Sequence, residues 1–179
     1  GVDTGALTGF TYMMQERERV YDMYEEVCGS RLTTNIGRIG GMERDFTPTF
    51  HARLKDFLKG FPARFEEFNN MLARNRIFMD RCIGAGPISA ERAMAYGFTG
   101  PNLRATGVDY DVRVMNPYSS YEDFDFDIPV GTSGDTYDRF VVRQEEIRQS
   151  LRIIHQAYDK LPKGEYHADV PAFYLPDKP

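Results

Sequence analysis

The sequence has no tryptophan, and only two cysteines and three histidines in 179 residues. Cys28 and Cys82 lie far apart and no CxxC occurs, which excludes a disulfide framework and reads as two reduced thiols. His51, His155 and His167 have no partner at ligand spacing, and HExxH is missing, so the common zinc motifs are excluded. A GxSxG nucleophile elbow is missing. GxGxxG is missing too, and GAGP at 84–87 lacks the following Lys-Ser/Thr of a phosphate loop. No apolar run approaches the roughly 20 residues that span a bilayer, and no stretch has the pattern of a signal peptide. There is no block of Lys and Arg. With a formal net charge of -5 and a pI near 5.3, nucleic acid is excluded as the expected partner.

What is present is apolar and aromatic. Hydrophobic residues make up 41% and charged residues 27%, enough for a packed core and too ordered a composition for a disordered chain. The length suits one domain. Aromatics reach 13%, all of it Phe and Tyr. TGALTGF already reads as structured sequence and the far end is Pro-rich, so the chain is expected to be an internal piece of a longer polypeptide.

Periodicity predicts three long helices and one short one. Over 6–28, Phe10, Met13, Met14, Arg17, Val20, Tyr21, Tyr24 and Val27 recur at helical spacing, with Gly29 as the stop. Gly9 weakens the first turn. The glycines of GRIGG break any helix, and Thr47-Pro48 reads as a cap and first turn. Over 49–75, Phe50, Leu54, Phe57, Leu58, Phe61, Phe65, Phe68 and Leu72 form one stripe, which is core rather than a ligand box. Pro62 is expected to kink or split this helix. SAERAMAY at 89–96 is a short helix with Ser89 as cap and Gly97 as terminator. Residues 97–133 are irregular, and YSSYEDFDFDIPV reads as an extended segment laid over the helices. The last helix covers about 135–161, with Phe140, Ile147, Leu151, Ile154, Tyr158 and Leu161 inward. The expected organisation is a mainly α helical bundle with long irregular connections over 1–162, then a Pro-rich extended tail over 163–179.

The last helix is crowded with charge. In GDTYDRFVVRQEEIRQS, Arg139, Arg143, Glu146 and Ser150 follow one another at i+4, i+3 and i+4, so they can touch in sequence along the flank of the apolar face. Solvated ion pairs at this spacing contribute a few tenths of a kcal/mol each. A desolvated polar ladder at a subunit interface or along a proton path is the other reading, and periodicity leaves both open.

Block by block, the sequence resembles the 49-kDa-type large subunit, also called the D-type subunit, of bacterial NADH:quinone oxidoreductase, the respiratory complex I. VDTGALTGF is similar to the family's D-x-G-A-x-T-P-F segment, with Gly9 where the family often has Pro. ERERVYDMYEEVCGSR, GRIGG, NRIFMDR, AMAYGFTGPNLRATGVDYDVR, PYSSYEDFDFDIPVGTSGDTYDRFVVR and EEIRQSLRII follow in the family's order. RLTTNIGRIGG and MNPYSSYEDFDF look most like the Bacteroidetes versions.

The resemblance implies a fold like the nickel–iron hydrogenase large subunit, without its metal. It implies a peripheral-arm subunit of a proton-translocating enzyme, on the cytoplasmic face of the inner membrane with no transmembrane segment. Its partners would be the subunit carrying the terminal 4Fe-4S cluster, the membrane arm and quinone, with NAD bound elsewhere in the complex. Asp3 matches the family's aspartate that supports the histidine at the quinone headgroup. That histidine and the headgroup tyrosine have no match in this chain, so the chain alone is expected to be inactive and to bind no cofactor. Thr33 stands where the family often has a titrating histidine near the cluster. Threonine does not titrate near neutral pH, which implies a pH-independent, lower-potential cluster suited to menaquinone. Arg38, Gly40 and Gly41 match the turn that faces the cluster subunit. The resemblance also favours the buried, interface reading of Arg139, Arg143 and Glu146. The alternatives are the large subunit of a related membrane-bound hydrogenase or another quinone-linked dehydrogenase, and a non-catalytic helical interaction module.

Overall fold

The computed structural model describes residues 2–171, the side chain of Thr4 excepted. The chain is mainly helical. Seven α-helices occur among the described residues: α1 (Leu7–Cys28), α2 (Pro48–Ala73), α3 (Arg76–Cys82), α4 (Ala90–Ala95), α5 (Gly100–Arg104), α6 (Val112–Met115) and α7 (Thr136–Asp159). One small hairpin pairs β1 (Gly37–Arg38) with antiparallel β2 (Gly41–Met42). Residues 172–179 of the expected tail lie outside the described residues.

Of the described residues, 2–11 and 63–161 form one compact unit and 12–62 and 162–171 a second. In the first, the core gathers Leu72, Phe78 and Cys82, with Ala6, Phe68, Tyr137 and Phe140 packed against them. Phe78 meets Phe140 edge to face at 4.9 Å. Gly9 is buried, and a Cβ there would touch Leu72 and Phe68 at 3.4 Å, so the helix-weakening glycine lies where α1 runs close to this cluster. In the second unit Met23, Val27, Phe57, Leu58 and Phe61 are buried, and the Phe57 and Phe61 rings stack at 4.8 Å.

The α2 stripe is inward as the periodicity predicts, with Phe57, Leu58, Phe61, Phe65 and Leu72 buried. Pro62 does not split the helix, which runs through it as one element. Buried phenylalanines on both sides, Phe61 and Phe65, anchor the turn that loses a backbone hydrogen bond. Thr47 caps α2, its Oγ1 accepting from the Phe50 amide at 3.0 Å, and Ser89 caps α4. Of the predicted face of α1, Val27 is buried and Met13, Met14, Val20 and Tyr21 are half-buried, but Phe10, Arg17 and Tyr24 are exposed; besides Gly9, Glu16 and Met23 are the other buried residues. Glu16 is tolerated because Arg19 donates to it at 2.9 Å. On α7 the predicted inward residues are half-buried or, for Ile154 and Leu161, exposed, and Val142 and Gln144 are the buried ones.

Three short helices were not expected. α3 begins after Arg74 and Asn75, and the Asn75 side chain caps it by accepting from the Ile77 and Phe78 amides. α5 and α6 have five and four residues, too short for periodicity to register. Of the expected extended segment, Phe124 to Val130 is extended and crosses α7, whereas Tyr121–Asp123 form a 3-10 turn. The Asp125 and Asp127 amides donate to the side-chain oxygens of Gln156 and Gln149 at 2.9 and 3.0 Å.

Candidate functional site

The largest concentration of buried charge is built by α5, α6 and α7. Arg104 ends α5 with its side chain 5% exposed. Its guanidinium donates to the Tyr110 carbonyl at 3.0 Å, pairs with Asp111 at 3.3 Å, and pairs with Glu146 of α7. Asp111 caps α6 by accepting from the Arg113 amide at 2.9 Å. Arg113 closes on the same carboxylate in a fork, with bonds of 2.9 and 2.6 Å, and lies over the Phe126 ring. The four charges sum to zero, the condition under which such groups are buried. They open on a cleft of about 500 Å³ that Tyr118 also lines.

The electrostatics follow from this packing. Burial pushes the Asp111 carboxyl up, but the bonds and charge of Arg113, helped by Arg104, outweigh it and hold the group below the usual carboxylate range. The bond to Asp111 raises Arg113 in turn, against the opposing effect of burial. Tyr121 is pushed up by burial and by neighbouring Tyr118, against the pull of Arg113.

The start of α7 is held by two aspartates. Asp135 accepts from the Asp138 and Gly84 amides, both at 2.8 Å, and Asp138 accepts from the Thr132 amide at 2.8 Å. Burial would raise the Asp135 carboxyl, but the amides of Gly84, Asp138 and Tyr137 and the charge of Arg139 hold it low. The GAGP backbone is therefore engaged by α7: Gly84 donates to Asp135, and Gly86 accepts from Arg139 at 3.1 Å. Gly134 approaches so closely that a Cβ would lie 2.3 Å from the Ile88 carbonyl, at φ +63°.

The expected ladder of Arg139, Arg143 and Glu146 does not link as side chains. Arg139 is half-buried and donates to the Gly134 carbonyl at 2.7 Å and to Thr136 Oγ1 at 2.8 Å. Arg143 is exposed and donates to the Arg139 carbonyl at 2.8 Å and to Asn102 Oδ1 at 2.9 Å. Glu146 is half-buried and turns to Arg104. The sequence contained the partner motif as Asp111-x-Arg113, but Arg104 and Glu146 are 42 residues apart and only the fold brings them together.

Asp3 belongs to this unit, exposed on a 3-10 turn over Val2–Thr4. Thr33, Arg38, Gly40 and Gly41 belong to the other unit and are all exposed. Thr33 Oγ1 meets Ser30 Oγ at 3.0 Å. Arg38 pairs with Glu43 across the hairpin at 2.5 Å. Gly40 and Gly41 have φ of +97° and +145°, and a Cβ on Gly41 would lie 2.3 Å from the Tyr166 carbonyl. That contact is a working one: the Met42 amide donates to Tyr166 and the Ala168 amide to Gly40, both at 2.9 Å. The glycines of GRIGG thus let residues 166–168 pair with the hairpin. Ile39, at its turn, is 78% exposed.

Among the described residues, no three of His, Cys, Asp and Glu are grouped to hold a metal ion, and no helix is long and apolar enough to cross a membrane.

The sequence model of the family described as respiratory-chain NADH dehydrogenase, 49 Kd subunit, matches residues 3–179. The D-type subunit of NADH-quinone oxidoreductase from Flavobacterium johnsoniae is 65% identical over 99% of this chain and 43% of its own length. The second D-type subunit of Cytophaga hutchinsonii is 64% identical over 99% of this chain and 46% of its own. The D-type subunit of Leptospira biflexa is 52% identical, again over 99% of this chain and 44% of its own. The chain spans less than half the length of these relatives.

Proposed function

The chain belongs to the family of the 49-kDa subunit of respiratory-chain NADH dehydrogenase, and from that membership we propose that it forms part of the peripheral-arm subunit of a proton-translocating NADH:quinone oxidoreductase. The observations that carry this reading are the family-model match over 3–179 and a relative 65% identical over 99% of the chain. In this reading the subunit helps form the chamber where quinone is reduced, beside a neighbouring subunit that carries a 4Fe-4S cluster. The mainly helical architecture agrees with a bundle of the nickel–iron hydrogenase large-subunit kind. The enzyme would sit at the cytoplasmic face of the membrane, its membrane arm supplied by other subunits.

The residues divide the work. Asp3 lies exposed on its turn, and its carboxylate would accept a hydrogen bond from a histidine of the headgroup site outside this chain. Arg38, Gly40 and Gly41 shape an exposed hairpin that suits contact with the cluster subunit, and Thr33, exposed before it, is a non-titrating neighbour for the cluster. Such a cluster would keep one potential across neutral pH, and a low one, which suits menaquinone. Arg104, Asp111, Arg113 and Glu146 fix α5, α6 and α7 to one another and hold that wall of the subunit rigid.

The test is Asp3→Asn in the full-length subunit assembled with its neighbours. Loss of quinone reduction in membranes, with assembly and cluster spectra intact, is the expected result. Unchanged turnover would remove Asp3 from the headgroup site.

A further inference from the structure

Most arginines of the larger unit whose contacts are described pair with carboxylates: Arg64, Arg76, Arg104, Arg113, Arg148 and Arg152. Arg92, Arg139 and Arg143 form no ion pair among the described residues. Arg139 meets two carbonyls and a hydroxyl, Arg143 a carbonyl and the Asn102 amide oxygen, and Arg92 the Tyr96 hydroxyl at 3.4 Å with its ring beneath. Two of these, Arg92 and Arg139, share one cleft of about 680 Å³. Arg92, Arg139, Asn102, Tyr96 and Phe98 line it, and Arg143 is tied to it through Asn102. Asp135 is electrostatically near Arg139, but its oxygens are taken by the Gly84 and Asp138 amides.

On a chain of net charge -5, these guanidinium groups form no ion pair among the described residues and keep unspent donors, since each carries five N–H bonds. A carboxylate matches the guanidinium fork in geometry and sign. We propose that this cleft docks an acidic peptide segment of a neighbouring subunit, its Asp or Glu side chains held by Arg92, Arg139 and Arg143 and its apolar flank by Tyr96 and Phe98. A separate polypeptide fits better than the subunit's own remaining length. Arginine is rarely enclosed in the core of one domain, whereas arginine and aromatics together are enriched at interfaces between chains. The inference rests on reading the chain as part of a multisubunit enzyme.

The experiment uses the full-length subunit in the assembled complex, with Tyr96, 64% exposed, replaced by the photo-crosslinker p-benzoylphenylalanine. Mass spectrometry of the illuminated complex is expected to find one cross-linked peptide, from a different subunit, with Asp or Glu within a few residues of the linkage. Arg92→Glu with Arg143→Glu should lower its yield at least fivefold, and the milder Arg92→Gln with Arg143→Gln should lower it in part. A cross-link to phospholipid, to the parent subunit itself or to nothing overturns the proposal, as does a yield unchanged by the charge reversals. A complex that assembles and reduces quinone while the probe stays silent sinks this inference alone. A subunit that never co-purifies with a cluster-carrying partner sinks the functional reading beneath it.

Discussion

Replacing Asp111 with alanine is expected to destabilise the chain by about 3 kcal/mol. The residue is 3% exposed. Its carboxylate takes the Arg113 fork at 2.9 and 2.6 Å, the Arg113 amide at 2.9 Å and the Arg104 guanidinium at 3.3 Å. Removing one partner of a buried pair costs about 3–5 kcal/mol, because the other charge stays buried. The lower end applies here, since Arg104 keeps Glu146 and the 19%-exposed Arg113 side chain can turn toward water. Glu146→Ala is expected to cost less, about 1.5 kcal/mol, because that side chain is 20% exposed and Arg104 retains Asp111. Urea unfolding followed by circular dichroism reads both. With a slope of about 2 kcal/mol per molar, Asp111→Ala lowers the midpoint by about 1.5 M. A midpoint that stays put, or a larger loss from Glu146→Ala, would refute the view that Asp111 is the centre of the network. The pH dependence follows from the direction of the shift. A carboxyl held low in the folded state contributes stability that is complete above its unfolded value, about 3.9, and that vanishes as pH falls through the depressed folded value. Asp111 and Asp135 both act this way, so stability should decline below about pH 4. Asp111→Asn should flatten that decline.

Gly41→Ala places a methyl against the Tyr166 carbonyl at an angle that side chains avoid, with strain of about 1–3 kcal/mol. Amide hydrogen exchange at Met42 and Ala168, which pair across this contact, should then quicken about tenfold, and unchanged protection would show that residues 166–168 do not need the glycine. Thr33→His in the assembled complex introduces a group that titrates near neutral pH. The midpoint potential of the neighbouring cluster should acquire a pH dependence between about pH 6 and 8, and a potential that stays flat would remove position 33 from the cluster's surroundings.

The parts legible in the sequence are those whose signal is local. The α2 stripe, the Thr47 and Ser89 caps and the start of the last helix all follow from spacing and side-chain chemistry within a few residues. The aromatic–acidic alternation of YSSYEDFDFDIPV marked an extended segment. What spacing could not give was the direction in which an amphipathic helix turns. On α1, Glu16 goes inward because Arg19 neutralises it, while Phe10 and Tyr24 go outward, an outcome that hydrophobicity alone reverses. The Arg104–Glu146 pair was illegible for a different reason. Its members are 42 residues apart, and α5, which carries Arg104, is five residues long and has no periodicity to read. The charges of α7 were visible, but their partners were not.

The segment from Phe124 to Val130 has a strand's alternation without a sheet. Phe124, Phe126 and Ile128 are half-buried while Asp125 and Asp127 face solvent. Its rungs are side chains of a helix: Gln156 brackets Asp125 with bonds to its amide and carbonyl, Gln149 holds the Asp127 amide, and Arg152 between them pairs with both carboxylates. Positions 149, 152 and 156 fall on one stripe of α7, so the helix supplies a ruler with fixed marks. Substitutions along the segment would each loosen one rung. A single inserted residue would turn every aromatic outward and every aspartate inward beyond the insertion, and no rung would then meet its mark. Over evolutionary time this stretch should therefore vary in letters and hold constant in length.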